Sequence, residues 1–138
     1  EGISIPEEWV PSLIDELPVI MAMAAVTPGT TRIRGATELR VKESDRLSVM
    51  AQGLAGLGVR LQEYEDGIDI TGGAVQGGEA DGAGDHRCAM SFGILGHVAE
   101  GPVLVRGARQ IDTSYPAFAQ HLRALGGSVE VTAVSPPA

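Results

Sequence analysis

The chain is poor in lysine, in aromatic residues and in reactive side chains. Among 138 residues there is one cysteine, one tryptophan and one lysine, and aromatic residues make up 4%. A lone cysteine, Cys88, excludes an internal disulfide and fits a reducing compartment, so a cytoplasmic location is expected. Cys88 itself reads as a small buried residue of a helix rather than as a nucleophile. Ten basic residues stand against eighteen acidic ones, a net charge of −8. That balance lacks the basic stripe that nucleic acid demands, so no nucleic-acid partner is expected. Any anion site must be built locally from a few positioned groups. The longest apolar run, 17–26, is too short to span a bilayer and contains Pro18. It reads as a deeply buried helix, and no membrane partner is expected. The opening Glu1-Gly2 carries no basic segment of a signal peptide. The length suits one domain over 1–138 with a substantial core, frayed at its tail 134–138.

What the chain does have is a repeat. GTTRIRGA at 29–36 resembles GPVLVRGA at 101–108, and LGVRLQEYEDGIDIT at 57–71 resembles LGGSVEVTAV at 125–134. An apolar helix precedes each RGA strand, at 14–26 and 85–99. Each unit thus reads helix, strand, helix, strand, with unit one over about 13–71 and unit two over about 85–134. Val59 to Glu65 alternates, turns at Asp66-Gly67 and returns as Ile68-Asp69-Ile70, a hairpin pattern. Leu47, Met50, Ala51, Leu54 and Leu57 form the apolar stripe of a helix, with Ser44 able to cap its start and Gly58 placed to end it. Phe118, Leu122 and Leu125 form the matching stripe in unit two, with Pro116 in the first turn and Gly126 as the stop. The other two helices are apolar on nearly every side and so are expected to be buried all round. Parallel inner helices covered by β-sheets, an α/β fold, follow from this. The glycine-rich segment 72–84 reads as a loop between the copies. Trp9 and Tyr115 are expected to pack in the core or at its edge.

The polar motifs collect at helix starts. Asp15 opens the first helix, Lys42-Glu43-Ser44-Asp45-Arg46 the second, Asp85-His86-Arg87 the third and Asp112-Thr113-Ser114 the fourth. Repeat symmetry should bring these starts to one end. Free N–H groups and the positive end of the helix dipole favour an anion there. Arg46 and Arg87 can add a bidentate grip, and Asp15, Glu43 and Lys42 are candidates for proton transfer. Plainer roles are open for each: Asp15 and Asp85 as caps, Glu43 as a solvated charge, Arg46 as a partner of Asp45, and His86 as a capping-turn residue. His97 and His121 are placed mid-helix with no partner at metal-ligand spacing, so no metal is expected.

These motifs carry a resemblance. ELRVKESDRL at 38–47, DHRCAM at 85–90, IDELPVIMAMAA at 14–25 and TSYPAF at 113–118 resemble the C-terminal portion of the 3-phosphoshikimate 1-carboxyvinyltransferases, the EPSP synthases. The resemblance runs essentially from end to end and implies an enolpyruvyl-transferase-like repeat fold, inside-out α/β. Two of the three units of a domain are then present, and the chain is most of the C-terminal domain of a longer two-domain enzyme. The implied reaction moves the enolpyruvyl group of phosphoenolpyruvate to the 5-hydroxyl of shikimate 3-phosphate and releases phosphate, without a cofactor. The implied partners are these two small molecules and the missing N-terminal domain. By the same resemblance, Asp15 binds the shikimate hydroxyl and accepts its proton, Lys42 contacts shikimate 3-phosphate and the reacting centre, and Glu43 moves protons at the pyruvyl group. Arg46 and Arg87 hold phosphoenolpyruvate, while Asp45, Asp85 and His86 support the arginines and helix ends. Two departures qualify this. The family's chains are much longer, so the chain alone should lack activity and expose apolar surface. Thr113 stands where many relatives have a phosphate-contacting lysine. Two other readings are a sister transferase acting on a UDP-amino sugar and a non-catalytic anion-binding module.

Overall fold

A computed structural model describes residues 2–129, without the side chains of Asp112 and Thr113. A 3-10 turn at Glu7–Trp9 leads into the short α1 (Val10–Leu13) and then α2 (Leu17–Val26). Pro18 lies in the first turn of α2, where it costs no hydrogen bond, and Thr27 ends the helix in an extended conformation. β1 (Gly29–Ile33), β2 (Arg60–Tyr64) and β3 (Gly67–Gly72) form an antiparallel sheet with β3 in the centre. Its inward face carries Ile33 opposite Ile68 and Thr31 opposite Ile70, all buried. The expected hairpin is therefore present as β2 and β3, with its turn at Glu65-Asp66, one residue before the expected Asp66-Gly67.

Between β1 and β2, a 3-10 turn at Thr37–Val41 precedes α3 (Arg46–Gly56). The stripe Leu47, Met50, Ala51, Leu54 and Leu57 is buried throughout. The cap is Asp45, whose side chain accepts the Ser48 N–H at 3.0 Å, and not Ser44 as expected. Ser44 turns its hydroxyl to Asp85 instead. Gly58 follows the helix at φ +82°, and Gly126 holds the same place after the last helix at φ +94°. Gly35 and Gly107, in the two RGA segments, stand at +70° and +61°. The similar segments thus share left-handed glycines at corresponding positions.

The second half of the chain differs from expectation in three places. The presumed loop 72–84 contains a strand, β4 (Gly78–Asp81), which pairs in parallel with β5 (Val103–Arg106). Four residues of sequence GEAD show no alternation to read, and the strand forms because β5 offers an edge and Ala80 is buried beneath it. After α4 (His86–Leu95), the expected last helix is divided into α5 (Ile111–Ser114) and α6 (Phe118–Ala124). Tyr115 precedes Pro116, is excluded from the helical region by the proline ring and sits at φ −150°, ψ 71°. Pro116 is therefore outside the helix, not in its first turn. The α6 stripe is only half-buried at Phe118 and Leu122, and Leu125 is 86% exposed. The strand expected within 125–134 lies largely, and the tail 134–138 wholly, outside the described residues.

α2, α3 and α4 pack on one another, with the three-stranded sheet laid on α2 and α3 and the β4–β5 pair on α3 and α4. Helices inside and sheets outside match the expected layering. The expectation of helices buried all round fails for α2 and α4. Met23 is 61% and Ile94 42% exposed, and only Tyr115 and Phe118 of the α5–α6 segment approach that side of α4 among the described residues. Trp9 is exposed rather than core, and Tyr115 lies at an edge against Phe118 and His121. His97 follows the end of α4 instead of lying within it. No single helix among the described residues is long and apolar enough to cross a membrane.

Candidate active site

The first residue of α3 organises the site. Arg46 is 1% exposed and spends its guanidinium on three carboxylates. Its Nε donates to Asp85 Oδ2 at 2.8 Å, its Nη1 to Asp15 Oδ1 at 3.1 Å, and its Nη2 to Glu43 Oε2. Asp85 is the N-cap of α4 and accepts the Arg87 N–H at 3.0 Å, with Ser44 Oγ donating to it at 2.9 Å. Arg87 Nη1 reaches the Asp15 carbonyl at 3.4 Å. Asp15 sits two residues before α2, so the starts of α2, α3 and α4 converge on one cluster. The common end expected from the repeat is present for these three helices. Asp112 and Thr113 belong to the separate α5.

The segment carrying Glu43 and Arg46 is held from a second side. Arg40, in the preceding 3-10 turn, donates to Asp45 at 2.9 Å, to Glu63 at 3.0 Å, and to the carbonyls of Tyr64 and Glu65 at 2.8 Å each. It ties the turn to the β2–β3 hairpin. Arg46 pairs with Asp15, Glu43 and Asp85, and Asp45 belongs to Arg40. Lys42 stands outside the cluster, its Nζ 3.6 Å from Glu38 one turn back.

Burial alone would push the Asp85 carboxyl up. Hydrogen bonds from Arg46, Ser44 and the Arg87 N–H, with the Arg46 charge, outweigh it and hold Asp85 below the usual carboxylate range. For Arg46 burial again opposes charge, but the Asp85 hydrogen bond and the Asp85 and Glu43 charges raise it further. Both groups stay ionised. Beneath them Cys88 is buried, and its thiol is pushed up to about 12, chiefly by burial, as a helix-core cysteine should be.

Asp15 and Arg87 line a cleft of about 250 Å³ between α2 and α4, together with Val19, Met90 and Ile94 and, from the α5–α6 segment, Tyr115 and Phe118. A larger cleft of about 380 Å³ between α3 and the β4–β5 pair touches none of the expected site residues. Two contributors went unlisted as site residues from sequence: Ser44, read as a cap, and Arg40, whose partners come from a distant hairpin.

The chain that carries this cluster has counterparts among known proteins. The family description "EPSP synthase (3-phosphoshikimate 1-carboxyvinyltransferase)" matches residues 1–122. The chain belongs to the EPSP synthase family. A 3-phosphoshikimate 1-carboxyvinyltransferase of Nitrosococcus oceani is 52% identical over 117 residues, covering 85% of this chain and 26% of the relative. One from Coxiella burnetii is 44% identical over 130 residues, covering 94% of this chain and 30% of its own. An EPSP synthase structure from Acinetobacter baumannii superposes with a TM-score of 0.89 at 38% identity, over 96% of this chain and 31% of that one. The chain therefore spans between a quarter and a third of the length of these EPSP synthases. The fold of the matched part of that structure is the one this chain adopts.

Proposed function

We propose that this chain forms most of the C-terminal domain of a 3-phosphoshikimate 1-carboxyvinyltransferase and carries part of its active site. The observation that carries the reading is Arg46 gathering Asp15 and Glu43 at converging helix starts, beside Arg87. The reaction needs this company of groups. The shikimate hydroxyl must lose a proton as it adds to the double bond of phosphoenolpyruvate, and the methylene carbon must gain one. Phosphate then leaves as that carbon gives its proton back. Asp15 accepts the hydroxyl proton, and Glu43 serves the methylene carbon. Arg46 and Arg87 neutralise phosphoenolpyruvate with the help of free N–H groups at the starts of α3 and α4. Lys42 contacts shikimate 3-phosphate after leaving Glu38, an exposed ion pair worth about 1 kcal/mol or less.

Two repeated units, about 13–71 and 85–134, stand for two of three in the domain, and the opposite domain completes the site. The substrates are small phosphorylated anions, and a cytoplasmic location suits the lone reduced Cys88. Phosphate release by the full-length protein, with phosphoenolpyruvate and with or without shikimate 3-phosphate, tests the reading. Release that requires both is expected. Release that ignores shikimate 3-phosphate, or none from folded protein, would sink it.

A further inference from the structure

Arg46 binds three carboxylates, but they are not equivalent. Asp85 is wholly buried and takes three donors: Arg46 Nε, the Ser44 hydroxyl and the Arg87 N–H. Loss of the Arg46 contact would leave its buried charge without a counter-ion. Glu43 is 56% exposed and, among the described residues, holds on only through Arg46 Nη2. Asp15 is 45% exposed and bonds through Nη1. The Nε side of the guanidinium is therefore closed, and the outward Nη1/Nη2 edge is occupied by two side chains that water already reaches. An anion that grips Arg46 bidentately must use that outward edge.

We propose that Asp85, with Ser44 behind it, is a positioning residue that fixes the Arg46 guanidinium, whereas Glu43 is a place-holder that an incoming anion displaces. This rests on the reading of Arg46 as a phosphoenolpyruvate site. Displacement turns Glu43 loose beside the bound anion, where a group that serves the pyruvyl carbon is needed. Before the anion arrives, the same contact keeps a buried arginine paired. The arrangement trades affinity for placement: every anion bound at Arg46 must first outcompete Glu43.

The consequence is a pair of opposite effects. In the full-length protein, titrated calorimetrically with phosphoenolpyruvate alone so that no turnover occurs, Glu43→Gln removes the charged competitor but keeps the side-chain shape. Its Kd should fall by roughly 3- to 10-fold, the scale of one partly exposed ion pair. Asp85→Asn should raise the Kd by about tenfold or more in protein shown by its melting curve to be folded, because Arg46 is no longer aimed. Should Asp85→Asn fail to fold, Ser44→Ala, which removes one donor to Asp85, should raise the Kd by a few-fold. A purely structural Asp85 would lower the melting temperature and leave the Kd of folded protein alone, which overturns its positioning role. An unchanged or weaker Kd in Glu43→Gln, with binding lost in Arg46→Gln, overturns the place-holder while sparing the anion site. Unchanged binding in Arg46→Gln overturns the anion site and the proposal with it.

Discussion

At the scale of single residues, Asp85 links the site to stability. Its carboxyl lies below the usual range in the folded chain, so its ionised form stabilises the fold at pH above the unfolded value of about 4. That contribution is lost as pH falls through the lower folded value. Denaturant midpoints measured from about pH 6 to about pH 2 should fall steeply for the natural chain, whereas Asp85→Asn, already weakened by about 3–5 kcal/mol, should show a shallower acid limb. Parallel acid limbs would remove Asp85 as the cause. Cys88 gives a simpler check. Buried and with its thiol held up at about 12, it should resist a thiol reagent at neutral pH until the chain is unfolded. Rapid labelling of native protein would contradict that packing. The sequence made the members of this cluster legible, since KESDR and DHR both read as helix starts. It could not show which carboxylate meets which arginine. Asp45 is adjacent to Arg46 yet pairs with Arg40, while Asp85, 39 residues away, takes the Arg46 Nε. Such choices depend on how α2, α3 and α4 pack, which no local pattern encodes.

At the scale of elements, Arg40 is the link most open to test. Four bonds from one guanidinium hold the turn before α3 to the β2–β3 hairpin. Arg40→Ala should cost about 1–3 kcal/mol and raise amide exchange over 41–45 well before it does so in the core of α3. Uniform exchange would mean that the turn is held by other contacts. The elements themselves were legible where a pattern repeats several times. The stripe on α3 presents five residues in phase, and β2 and β3 alternate on either side of a turn signal. β4 escaped because its four residues carry no period and owe their strand conformation to β5. The division of α5 from α6 was visible as Pro116, but its effect fell on Tyr115, the residue before it.

At the scale of the whole molecule, the uncovered side of α2 and α4 is the main anomaly. Val19 and Met23 lie one turn apart on α2, Met90 and Ile94 one turn apart on α4, and the cleft between the helices is lined mainly by apolar side chains. A face of this kind on a helix that packs inward elsewhere marks surface that another element would bury. The chain covers 31% or less of the EPSP synthases named above, and the proposed third unit of the domain is the element of the right kind. Opposite outcomes in two contexts separate this from ordinary surface exposure. Met23→Lys with Ile94→Gln in the 138-residue chain should leave its melting temperature within a few degrees and reduce concentration-dependent association in light scattering. In the full-length protein the same pair should lower stability by about 2–5 kcal/mol, the cost expected when polar groups replace buried apolar ones. Equal tolerance in both contexts would mean that this side of α2 and α4 faces water in the complete enzyme. The third unit would then have to pack elsewhere.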